Sequence, residues 1–195
     1  TTTIAELVKD KRVILVGNSV EIMNYEYGDF IDSFDIVIHH GASIARTEHQ
    51  FKSLGSKTHI WVTGSFRLNT YYNVEEEFLN GRYKDTMILF NRVRTKLLNV
   101  EDIVKWENQL PPLPRIDMFN DIEIAQMLHE LKYMKGFGDG YYGPRNGMRP
   151  SGGFMTLLYF TKKVTTYKSL DIIGFDFFRK ITETKRRPTS ALPFS

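Results

Sequence analysis

Lys11–Met23 reads KRVILVGNSVEIM. The apolar run Val13–Val16 stops at Gly17-Asn18-Ser19, and a helix-like pattern then resumes. Strand, glycine turn and helix start, in that order, are where an open α/β sheet holds a nucleotide. The G-x-G-x-x-G spacing of a dinucleotide site is missing. The stretch therefore predicts a ligand needing one close backbone approach, at Gly17, and one amide, at Asn18. The plain alternative is a turn in which Ser19 caps a short helix.

Outward from this stretch, β-rich runs alternate with helical ones. Strands are predicted at Arg12–Gly17, Asp35–His39, Thr58–Thr63, Thr86–Phe90, Arg115–Met118 and Leu170–Gly174. Several are continuous apolar runs ("VILVG", "DIVIH", "LDIIG"), as parallel strands covered on both faces should be. Helices are predicted at Asn73–Leu79, Val100–Gln109, Asp121–Met134 and Gly153–Lys163. In the third, Asp121 caps an apolar face of Ile122, Ile124, Ala125, Leu128 and Leu131. The alternation predicts an α/β fold of doubly wound type: a single Rossmann-like domain over residues 1–195, mostly parallel, with helices on both faces. "NQLPPLPRI" holds three prolines and reads as a connection, and Lys135–Gly153 holds seven glycines and two prolines. A loop of that length in a compact domain is usually functional or mobile, and residues 135–152 are expected to be one.

The 195 residues suffice for one domain, or one with a lid, burying roughly 70% of the unfolded surface. Apolar residues make up 42% and charged residues 25%, ordinary for a soluble protein. No apolar run approaches the ~20 residues a bilayer requires, and no secretory signal precedes the first strand. The chain opens TTTIAELVKD without methionine, which implies processing or trimming. There is no cysteine, which excludes disulfides, a thiol nucleophile and cysteine-ligated metals, and fits the cytosol. Net charge is +3, with the excess in "NRVRTK" (Asn91–Lys96) and in the C-terminal segment 179–195, in "RKITETKRRP" (Arg179–Pro188). Such clusters can meet phosphates or merely form solvated faces.

Three further stretches bear chemistry. In "RPSGGFMTLLYF", Ser151 precedes Gly152, Gly153 and an apolar helix, so free N–H groups and the helix dipole offer an anion site, with Arg145 and Arg149 just before it. An ordinary helix cap is the alternative. In "LDIIGFDFF", Gly174 turns out of the last strand and Asp176 emerges at the same edge as Asn18, able to orient a hydroxyl, bind a metal, act as a base or simply cap a turn. His39 and His40 close the second strand, one facing each side of the sheet, so that one can point into a cleft beside Asn18. His59 and His129 read as packed or surface residues. No H-E-x-x-H spacing supports a metal, and the G-x-S-x-G and G-x-x-x-x-G-K-[ST] motifs are absent.

The order of these stretches, VILVGNSVEI…YGDFIDSFDIVIHHGA, then RPSGGFMTLLYF, then LDIIGFDFF, resembles the sialyltransferases over roughly Lys11–Phe178. In that family a large motif runs from a strand ending Gly-Asn-Ser to a second strand, and a small motif joins a Ser-Gly-rich helix start to a strand ending Gly-Phe-Gly or Gly-Phe-Asp. The resemblance implies a sialyltransferase-like variant of the GT-A fold and a metal-independent, inverting glycosyltransferase. Its co-substrate would be a CMP- or UDP-linked sugar, with no further cofactor. Asn18 would contact the donor nucleotide, beside Gly17, Ser19, Gly41 and Gly174. Ser151, Gly152 and Gly153, helped by Arg149, would cradle its ribose and phosphate.

Two departures qualify the carry-over. The family's second strand ends in Arg-x-Asn, whose asparagine touches the nucleotide; here the residues are His39-His40-Gly41, which puts the donor in question. The family's base is a histidine downstream of the Gly-Phe turn, whereas no histidine follows His129. Either the sequence continues beyond SALPFS, or Asp176, His39 or His40 serves; alternatively the fold binds a nucleotide without transferring anything. The acceptor expected is a hydroxylated pyrimidine in DNA, which some bacteriophages glycosylate. Arg92, Arg94, Lys96, Lys185, Arg186 and Arg187 would meet its phosphates, and Tyr71, Tyr72, Tyr141 and Tyr142 would stack on a flipped base. A glycan or lipid-linked oligosaccharide is the competing acceptor.

Overall fold

The computed structural model describes residues 2–45, 47–63, 83–91, 115–120, 122–123, 126 and 152–175. Six strands form one parallel sheet: β1 (Arg12–Val16), β2 (Ile36–His40), β3 (Ile60–Thr63), β4 (Met87–Phe90), β5 (Arg115–Asp117) and β6 (Ser169–Ile173). The spatial order is β5-β4-β3-β2-β1-β6. The chain steps one way from β1 to β5, and β6 then returns to the other side of β1. Chain order thus reverses beside β1, where open α/β sheets leave a crevice at their carboxyl edge. Each strand lies within two residues of its predicted position.

The continuous apolar strands are buried on both faces. Val13, Leu15, Ile36, Ile38, Ile60, Val62 and Leu89 face one layer, built from Ile4 and Val8 of α1 (Ile4–Val8) and from Met155, Tyr159 and Phe160 of the late helix. Ile14, Val16 and Val37 face the other, with Ile31 of α2 (Gly28–Asp32), Phe34 just after it, Leu54 of α3 (Phe51–Leu54) and Ile22 of the 3-10 turn Val20–Asn24. Burying each such side chain stabilises by about 1.5–3 kcal/mol before the entropy of ordering it.

The late helix, α4 (Gly152–Leu158), passes into a π-helical turn at Tyr159–Lys163, closed by the Val164 N–H on the Tyr159 carbonyl (2.9 Å). Lys163 fastens it to the end of β5, donating to the Met118 carbonyl (3.1 Å) and pairing with Glu123 (2.8 Å) above the Phe119 ring. Asn120 caps this turn, its Oδ1 accepting from the Glu123 N–H (2.9 Å) while Glu123 accepts from the Asn120 N–H (2.7 Å); Asp121, the predicted cap, lies outside the described residues. This reciprocal pair satisfies two donors at once. Ile122, expected on the apolar face, is 70% exposed. The helices predicted at Asn73–Leu79 and Val100–Gln109, most of Asp121–Met134 and the loop 135–150 lie outside the described residues. No described helix is long and apolar enough to cross a membrane.

Candidate functional site

At the reversal beside β1, the ends of β1 and β6 meet backbone to backbone. The Gly17 N–H donates to the Ile173 carbonyl (2.8 Å) and the Ser19 N–H to the Gly174 carbonyl (2.8 Å). A Cβ on Gly17 would stand 2.5 Å from the Gly174 carbonyl oxygen and 2.6 Å from Phe175 Cδ2. Gly174 has φ +74, the left-handed region that favours glycine, and its own Cβ would meet the Gly17 carbonyl oxygen at 2.8 Å. Within the fold, then, the room Gly17 leaves is filled by Gly174 and the Phe175 ring. Asn18 is exposed at this edge. Ser19 is buried, and its Oγ accepts from the Glu21 N–H (3.3 Å) to cap the 3-10 turn, so the capping alternative holds for Ser19.

The two histidines that close β2 do face opposite ways. His39 is fully buried on the side of α2 and α3, its Nδ1 3.2 Å from Ser43 Oγ. Burial pushes its pKa down to about 4, against the weaker opposing pulls of the Lys57 backbone, Asp32 and Ser43. His39 is therefore neutral at pH 7 and sealed from solvent. His40 lies half-buried on the α4 side, its ring 6.3 Å from that of Phe175. His59, read as packed or surface, accepts the Val37 N–H on Nδ1 (3.0 Å).

The turn after β2 is tied down by its neighbours. Trp61 Nε1 donates to the Gly41 carbonyl (2.8 Å), and the Tyr83 hydroxyl donates to the Ala45 carbonyl. Ser43 Oγ reaches the Val16 carbonyl (2.9 Å) and accepts the His40 N–H (3.0 Å). Gly41 has φ +61, so a tight left-handed turn accounts for that glycine. These ties hold the end of β2 against the end of β1.

The start of α4 closes the group from the other side. A Cβ on Gly152 would meet His40 Nε2 at 3.0 Å and Asn91 Nδ2 at 3.7 Å, and one on Gly153 would meet Phe175 Cε1 at 2.9 Å. The fold thus brings together Gly17, Asn18, His40, Gly152, Gly153, Gly174 and Phe175 from stretches far apart in sequence. Asn91 and Phe175 were not singled out by sequence as site residues: Asn91 reads there as part of a basic cluster, and Phe175 as part of an apolar strand end. Among the described residues no three of His, Asp and Glu gather as a metal site would need. Asp176, Arg149, Ser151, Arg92, Arg94, Lys96, Lys185, Arg186, Arg187 and the four tyrosines Tyr71, Tyr72, Tyr141 and Tyr142 lie outside the described residues.

No protein family and no curated protein matches the sequence. Solved structures do. A mammalian sialyltransferase in complex with Gal-beta-1-3GalNAc-ortho-nitrophenol matches with TM-score 0.54 and 19% identity, over 88% of this chain and 58% of that one. A second mammalian sialyltransferase structure matches with TM-score 0.52 and 19% identity, over 85% and 55%. The chain thus spans little more than half the length of either. The six parallel strands, the reversal beside β1 and the helices on both faces make this a sialyltransferase-like α/β fold.

Proposed function

We propose that this protein is a glycosyltransferase that moves a sugar from a CMP- or UDP-linked donor to an acceptor hydroxyl. The observation that carries the reading is the convergence of Asn18, His40 and Gly152–Gly153 at the carboxyl edge beside β1, on a sialyltransferase-like fold. Asn18, exposed there, offers an amide to the nucleotide. Ser151, Gly152 and Gly153, with Arg149, would receive the phosphate that departs.

Of the candidate bases, His40 is favoured over His39. His39 is fully buried beside Ser43, and burial holds its pKa at about 4, so it takes up a proton poorly at neutral pH and offers no path for one. His40 lies half-buried at the start of α4, and a neutral imidazole is the side chain most often used as a general base. Asp176 follows two residues after Gly174 and stays as the second choice. In the displacement, the acceptor oxygen bonds to the anomeric carbon while the bond from that carbon to the nucleotide phosphate oxygen breaks. The acceptor proton passes to the imidazole and the nucleotide leaves with the electron pair, with inversion at carbon.

The disaccharide glycoside bound to the mammalian sialyltransferase favours a saccharide acceptor. The basic clusters at 91–96 and 179–188 favour DNA. Salt separates the two, because DNA binding weakens steeply as salt rises and counterions are no longer released at a profit in entropy, while binding of a neutral glycan does not.

The test of the donor site is a thermal-shift panel of CMP, UDP, GDP, ADP and NAD on the full chain and on Asn18→Ala. A ligand at ~100 times its dissociation constant adds about 2.7 kcal/mol. A shift selective for CMP or UDP and lost in Asn18→Ala supports the reading. A shift with NAD alone, or none with any nucleotide, overturns it.

A further inference from the structure

The half-buried Phe175 lies across the end of β1, and its ring fills the space that two glycines leave. One edge of the ring faces Gly17, where a Cβ would stand 2.6 Å from Cδ2 and 2.8 Å from Cε2. The opposite edge faces Gly153, where a Cβ would stand 2.9 Å from Cε1 and 3.3 Å from Cδ1. The ring therefore bridges the end of β1 and α4. We propose that Phe175 is a specificity-determining residue: it shuts a pyrophosphate out of the notch between Gly17 and Gly153, and so restricts the donor to a sugar joined through a single phosphate. The inference rests on the glycosyltransferase reading and narrows its donor.

In open α/β sheets, glycines at the turn after the first strand let a pyrophosphate approach the backbone. Here the Phe175 ring stands where that approach would be made. Its backbone is held by the two residues before it. The Ile173 carbonyl accepts from the Gly17 N–H (2.8 Å), and the Gly174 carbonyl accepts from the Ser19 N–H (2.8 Å). Gly174, with φ +74, turns the chain from the end of β6 across the end of β1. A ring on a stem tied in this way acts as a wall. Selectivity of this kind comes from a clash with the wrong ligand as much as from contact with the right one. Asn18 is exposed at the same edge, so the nucleotide keeps its amide while a second phosphate loses its place.

The test titrates CMP, CDP, UMP and UDP by calorimetry into the full chain and into Phe175→Ala. The members of each pair differ by one phosphate, so the ratio of their dissociation constants cancels what the substitution does to base and ribose. In wild type the monophosphate is expected to bind more tightly than its diphosphate. In Phe175→Ala the ratio is expected to move toward the diphosphate by about tenfold, the scale on which a pocket tells apart ligands that differ in size. Phe175→Leu serves if the alanine variant does not fold, and is expected to move the ratio less, in the same direction. A ratio unchanged in a folded variant, or a wild type that prefers the diphosphate, overturns the inference and leaves the transferase reading standing. A chain that binds none of the four nucleotides overturns both.

Discussion

Lowering the pH from 7 to 5 is expected to destabilise the protein through His39, by an amount the structure sets. His39 has no solvent exposure, and burial holds its folded-state pKa at about 4, against about 6.5 in the unfolded chain. A depressed histidine pKa means the unfolded chain takes up the proton first. The stabilisation is complete above about pH 6.5 and is lost as pH falls from there toward 4. At pH 5 linkage gives a loss of about 2 kcal/mol relative to pH 7. For a chain of this length that is a fall of about 4–8 °C in Tm. The assay is thermal or urea unfolding at both pH values, for wild type and for His39→Asn, which keeps a polar atom near Ser43 but does not titrate. His59 is also pushed down by burial and acts in the same direction, as do the lowered carboxyls of Asp35 and Glu123. These groups are common to both proteins, so the difference in pH dependence isolates His39. Equal losses in wild type and variant would refute the reasoning, because His39 would then be accessible in the folded state.

Gly17→Ala forces a Cβ to within 2.5 Å of the Gly174 carbonyl oxygen; a loss of about 1–3 kcal/mol in urea unfolding is expected, together with weaker nucleotide binding as the two strand ends move apart. Gly152→Ala places its Cβ 3.0 Å from His40 Nε2, so turnover should fall far more than Tm, and an unchanged rate would take His40 out of the chemistry. Trp61→Phe removes the donor to the buried Gly41 carbonyl. It should cost about 1–3 kcal/mol by leaving that carbonyl unsatisfied, measured as a drop in the urea midpoint.

Sequence and structure agree best on the strands. An apolar run such as Val13–Val16 or Ile36–Ile38 is too short for a helix, and its alternation with helical stretches selects a parallel strand covered on both faces. The short helices were not legible in the same way. Stretches of four or five residues such as Gly28–Asp32 and Phe51–Leu54 are too brief to display a 3.6-residue period, and tertiary packing rather than local preference holds them. Asn120 meets the Glu123 N–H one residue before Asp121, and both residue types cap well.

By itself the sequence determined the α/β class, the six strands, and the strand end at Gly17-Asn18-Ser19. It also determined that His39 and His40 must face opposite sides, because alternation along a strand is a property of the backbone. Only the tertiary structure decided which of them meets the start of α4, since that depends on which layer α4 covers. It likewise decided that Gly17 makes room for Gly174 and Phe175, and that His40 and Asn91 both come up to Gly152. Those are contacts between strand ends remote in the chain, and no local pattern encodes them.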